Sequence, residues 1–154
     1  MTIKIEAAQR LKAAKDELGS LPKFPKFSSS KMHKVVDPFW KITKDYDLIR
    51  KPENTKGFIG VDGKTALSLI KKGNKFKAGS HITSSLQDAM YWAISYGAID
   101  PKGAVVYALD TKGIKLAEGD QADNANHAVL TKPCVGKPMY FMDHEACKAA
   151  EEKF

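Results

Sequence analysis

Two stretches decide how this chain folds: HITSSLQDAMYWA at residues 81–93 and GAVVYALD at residues 103–110. In the first, residues 80–84 predict a strand and Ser85 stands where it can cap a helix, because its hydroxyl can accept from the free N–H groups of a first turn. Leu86, Ala89, Met90, Ala93 and Ile94 then recur at helical spacing to about Tyr96. In the second stretch, residues 104–109 are a continuous apolar run bounded by Gly103 and Asp110, the pattern of a central strand buried on both faces. Strand, helix and strand in so short a span imply a mixed α+β fold.

Upstream, residues 57–61 predict a short strand, Asp62 a helix cap, and residues 64–72 a helix whose apolar positions are Ala66, Leu67, Leu69 and Ile70. Gly73 is expected to stop it. Before that, Asp37-Pro38-Phe39-Trp40 supplies a turn followed by aromatic anchors, and Tyr46, Leu48 and Ile49 offer another short strand. Downstream, strands are expected at 114–117, 128–130 and 139–142, and a closing helix at 144–153.

The front of the chain differs. Ile3, Ile5, Ala7, Ala8, Leu11, Ala14 and Leu18 recur at helical spacing between charged residues, so residues 3–18 predict an amphipathic helix that Gly19 ends. Residues 20–34, with two prolines and a triple serine, show no periodicity and read as a linker or a strap laid over the surface. The expected organisation is an N-terminal helix over 1–19, the strap over 20–34 and one α+β domain over 35–154. Such a helix can dock on a partner, lie on a membrane or pack back on the core, and packing back is the expectation.

At 154 residues the chain has room for one core and not for two ordinary domains. Apolar residues at 43% and charged residues at 28% match a folded globular chain and not a disordered one. Lysine and arginine number 25 against 18 acidic residues, and a formal charge of +7 attracts phosphate, acidic proteins or anionic membrane. Most of that excess is lysine, in segments 23–44 and 71–77, whereas base-specific readers depend more on arginine, so nucleic-acid binding is a minor expectation. No apolar run is long enough to span a bilayer, and residues 1–19 lack the apolar centre of a secretory signal, so an intracellular, reducing compartment is expected.

Cys134 and Cys147 form no CxxC pair and have no histidine at ligand spacing, which predicts two free thiols and no metal. His33, His81, His127 and His144 are well separated and could join a thiol as nucleophile and base only if folding brought them together. The segment GFIGVDG at 57–63 lacks the spacing of a phosphate-binding loop and reads as a turn between strands. The aromatic residues mostly fall among apolar positions, as core residues do.

Taken in order, Asp47-Leu48-Ile49-Arg50, the helix 65–73, HITSS at 81–85, the helix 87–96 and VVYALD at 105–110 resemble the ADP-ribosyltransferase fold, in the arm that contains the cholera-toxin-like transferases and many bacterial and phage effectors. The resemblance covers residues 48–116, and order and spacing carry it. It implies NAD as co-substrate and a mono-ADP-ribosyltransferase acting on a macromolecular, most simply protein, target. Arg50 would be the arginine that grips the dinucleotide, a role for which the planar guanidinium fork suits phosphate oxygens. Residues Thr83, Ser84 and Ser85 would occupy the Ser-Thr-Ser positions that orient the catalytic carboxylate and shape the nicotinamide pocket, with His81 in packing or nicotinamide contact. Plainer roles exist for each: a surface arginine, helix caps, a packed imidazole.

One departure stands out. Members of this arm place a Glu-x-Glu or Gln-x-Glu pair on a late strand, and no such pair follows Asp110, leaving Glu118 as the catalytic candidate in an otherwise solvated acidic loop. The alternative function is therefore a non-catalytic protein of the same fold that binds a partner or builds a phage particle, which would place it in a virion. The opening TIKIEAAQRLKAA loosely resembles the basic alanine-rich helices of phage virion proteins.

Overall fold

The structure is a computed structural model that describes residues 3–26, 38–51, 56–119 and 125–153. The elements are α1 (Ile3–Ser20), β1 (Trp40–Ile42), β2 (Leu48–Arg50), β3 (Lys56–Asp62), α2 (Gly63–Lys71), β4 (Lys75–Phe76), β5 (His81–Thr83), α3 (Leu86–Gly97), β6 (Ala104–Asp110), β7 (Leu116–Ala117), β8 (His127–Leu130), β9 (Cys134–Met142) and α4 (His144–Glu151). Seven strands form one antiparallel sheet in the order β4-β9-β6-β3-β5-β8-β7, and β1 with β2 makes a separate hairpin. The class is α+β.

The apolar run at 104–109 becomes β6, a central strand buried on both faces. Val105, Tyr107 and Leu109 join a larger core with Ala14 and Leu18 of α1 and Ala66 and Leu67 of α2. Their neighbours Ala104 and Val106 face a smaller core with Met90, Ala93 and Ile94 of α3 and Cys147 of α4. Strand alternation thus assigns α1 and α2 to one side of the sheet and α3 and α4 to the other. The N-terminal helix packs back on the body through Ala14 and Leu18, as its spacing predicts.

Helix starts follow their caps. Side chains of Asp62, Ser85 and Asp143 accept from Thr65, Asp88 and Ala146 N–H groups, opening α2, α3 and α4. The end of α1 does not follow Gly19: the helix runs through it to Ser20, and Pro22 marks the stop, since proline disfavours helical backbone in the residue before it. Pro22 and Lys23 then run beside the end of β9, where the Phe141 N–H donates to the Pro22 carbonyl at 3.0 Å. The remainder of the expected strap, from residue 27, lies outside the described residues.

Four further differences have physical causes. Tyr46 is not in a strand but in the turn between β1 and β2, with a positive φ of 65°. Trp40 is the buried aromatic anchor expected of it and in addition begins a strand, β1, that was not expected there; its indole N–H donates to the His127 carbonyl at 2.7 Å. Strand β9 begins at Cys134 and passes through Pro138, because that residue faces β6 next to a bulge and lies past the last pair with β4, where no ladder bond is lost. Finally, GFIGVDG is not a turn: Gly57 and Gly60 lie within β3 and Gly63 opens α2.

Gly60 has a packing reason to be glycine. A Cβ there would run into the Ala89 carbonyl and stand 2.8 Å from the Ala93 Cβ, so α3 lies on β3 only because nothing projects between them. We expect Gly60→Ala to lower the unfolding free energy by about 1–3 kcal/mol through overpacking, measured by urea denaturation against wild type.

Candidate functional site

The ladder from β3 to β5 consists of a single pair, Phe58↔Thr83, while β3 pairs with β6 along its whole length. Beyond Phe58 the two strands part, and Ile59 and Gly60 have no strand partner on the β5 side. A cavity of about 460 Å³ opens there, lined by Ile59 and Gly60 of β3, His81 of β5, Trp92 and Tyr96 of α3, Gly119 and His127 of β8.

Spacing brings these groups together. On α3, Asp88, Trp92 and Tyr96 follow at intervals of four and share one helix face, while Ala89, Met90, Ala93 and Ile94 bury the opposite side. Across the β5–β8 ladder Thr83 is opposite His127 and His81 is opposite Val129, so the two imidazoles are diagonal neighbours on one face. The sequence separation between them hides this, although an aromatic and acidic stripe at intervals of four was visible in α3.

His127 is held on three sides. Its ring meets Trp92 edge to face with centroids 4.8 Å apart, its Nε2 stands 4.0 Å from an Asp88 carboxylate oxygen, and its backbone carbonyl takes the Trp40 indole proton. Burial, with the nearby His81 in second place, lowers its proton affinity below the ordinary histidine value of 6.5. Asp88 at the outer limit of ion pairing does not offset these effects. At neutral pH the ring is neutral, with one nitrogen to donate and one to accept.

The residues singled out by the resemblance divide into two groups. His81 lines the cavity, and Glu118, exposed just after β7, is the chain neighbour of Gly119, which lines the cavity too and where an added Cβ would touch the His81 ring. Thr83, Ser84 and Ser85 are buried and serve local architecture. The Thr83 hydroxyl accepts from the Ser85 N–H at 3.1 Å, Ser85 caps α3, and Ser84 pairs with Asn126 through its backbone at 2.8 Å and its hydroxyl at 3.3 Å.

Arg50 lies elsewhere, at the end of β2 and outside the cavity lining. Its guanidinium donates to the carbonyls of Thr111, at 2.9 Å, and Ile114, and to the Thr111 hydroxyl at 3.3 Å, tying the hairpin to the turn after β6. The strand that immediately precedes the first helix of the body is β3, so in the strand–helix order the position nearest the cavity is held by Ile59 and Gly60 and not by an arginine.

Neither thiol is placed for catalysis. Cys147 is fully buried and pushed up to about 12 by burial and by Asp143 and Glu151, while burial and Asp110 raise Cys134, so both stay protonated near neutrality. Among the described residues no three of His, Cys, Asp or Glu are grouped to hold a metal ion, and no described helix is long and apolar enough to cross a membrane.

Two outcomes follow from this geometry. Arg50→Ala should cost about 1–3 kcal/mol of stability in chemical denaturation, because the Thr111 and Ile114 carbonyls lose their charged donor. Because the folded protein binds the His127 proton more weakly than the unfolded chain, stability should fall as pH drops from about 6.5 and level off below the folded-state value. A melting-temperature series from pH 8 to pH 4.5 should show this slope, and His127→Asn should flatten it.

Compared with known proteins, the chain matches no protein-family model, no curated protein and no solved structure.

Proposed function

We propose that the cavity between β3 and β5 binds the nicotinamide end of NAD and that the protein transfers ADP-ribose to a macromolecular target. The observation that carries this reading is the parting of β3 and β5 after one pair, which opens an aromatic-walled cavity beside His81 with Glu118 one residue from its wall. The element order strand, helix, strand, helix, strand in β3, α2, β5, α3 and β6, with the short β4 between, supports it as well.

The chemistry suits the residues. Trp92 and Tyr96 offer flat faces to a planar ring, and the His81 and His127 imidazoles offer donors and acceptors to an amide or a ribose hydroxyl. Ile59 and Gly60 supply backbone without a strand partner on the cavity side. Transfer breaks the bond between ribose C1 and the nicotinamide nitrogen, whose electron pair leaves with the ring as neutral nicotinamide. A nucleophile of the target attacks C1 and gives up its proton, and the Glu118 carboxylate stabilises the positive charge that develops on the ribose.

A second reading, a non-catalytic protein that binds a partner or belongs to a virion, rests on a specific observation. The Arg50 guanidinium and the hydroxyls of Thr83, Ser84 and Ser85 have structural partners, and among the described residues no lysine, arginine or carboxylate lines the cavity. Two measurements separate the readings. Thermal melting with millimolar NAD reports binding, since a ligand of the folded state raises the midpoint. Biotin-tagged NAD in a bacterial lysate reports transfer. Labelling that Glu118→Gln reduces at least tenfold supports the transferase. A melting shift without labelling leaves the binding protein, and neither response from the folded protein rejects NAD altogether.

A further inference from the structure

On the α3 side of the sheet, helix and sheet do not end together. Ala104 and Val106 of β6 are covered by α3, but the same face continues to Ala108 and Asp110. There Lys56 of β3 stands opposite Asp110 and Lys137 of β9 opposite Ala108. The strap from Leu21 to Pro22 forms one wall, and Pro138, Met139 and Tyr140 form another. Met139 is the extra residue of the bulge opposite Val106 and Tyr107, which widens β9 at this point.

The result is a groove of about 750 Å³ that shares no lining residue with the β3–β5 cavity. Its walls are apolar: Leu21, Pro22, Ala108, Pro138, Met139 and Tyr140. Its charged groups among the described residues are Lys56, Lys112, Lys137 and Asp110, all exposed. The Asp110 carboxylate accepts the Lys112 backbone N–H at 3.0 Å and stays at the rim. Three ammonium groups against one carboxylate leave a charge of +2 beside an apolar trough.

We infer that this groove binds a small amphiphile made of a phosphate monoester on an apolar chain, with the phosphate among Lys56, Lys112 and Lys137 and the chain along Ala108, Pro138 and Tyr140. A phosphate monoester carries close to two negative charges at neutral pH and matches the excess, whereas a neutral lipid leaves the lysines unanswered. Cavities of this volume with mostly apolar walls and a few polar groups are typical of ligand sites, and lysine binds phosphate as a point charge.

The test titrates the full-length protein with octyl phosphate, held below its micelle concentration, and compares octanol and inorganic phosphate. Calorimetry gives affinities, and amide chemical shifts locate the site. The expected result is that octyl phosphate binds at least tenfold more tightly than octanol and than phosphate, shifting the amides of Ala108, Leu109 and Tyr140. The double variant Lys56→Ala, Lys137→Ala should weaken it at least tenfold while melting like wild type, because both side chains are exposed. Equal affinity for octanol or for phosphate alone overturns the inference, as do an unchanged affinity in the folded double variant and shifts confined to residues of the β3–β5 cavity.

Discussion

Strand β3 is held to β6 by a full ladder and to β5 by one pair, and this imbalance is the constraint that shapes the cavity. Helix α3 rests directly on β3 at Gly60, in the part of the strand that no longer pairs with β5. The sheet is divided into a β9-β6-β3 half and a β5-β8-β7 half that join at Phe58 and Thr83. Helix α3 supplies Trp92 and Tyr96 to the cavity.

Much of the fold was legible because its strongest signals are local. The apolar run of β6 and the capped, periodic α3 need only neighbouring residues to be read, and both formed where expected. The same holds for the burial of Ala14 and Leu18, which helical spacing places on one face. Strand β9 was read too short because Pro138 is a breaker only where both strand edges are paired, and sequence does not say which edges are.

The site was legible only in part, for a related reason. His81 was noticed because it adjoins the capping serines, but His127 joins it through a ladder between distant strands, and no local pattern announces a pairing partner. Arg50 and Gly60 illustrate the ambiguity further. Both stand on strands upstream of the first helix of the body, and the choice between them depends on pairing: among the described residues β2 pairs with β1 alone, whereas β3 enters the main sheet. Trp40 joins the two regions, since its bond to the His127 carbonyl anchors the hairpin beside the cavity.

The hydrogen bond from Phe141 to Pro22 has a consequence for the order in which the molecule is built. It ties the segment after the first helix to the last strand of the sheet, and β9 is also the outer partner of the central strand β6. Contacts so distant along the chain slow folding, since a long loop must close before they form. On the ribosome the segment after α1 emerges early, whereas its partner strand β9 is the last strand to appear. During that interval Leu21 and Pro22 lack their β9 wall, so the newborn chain carries apolar surface there that chaperones can hold.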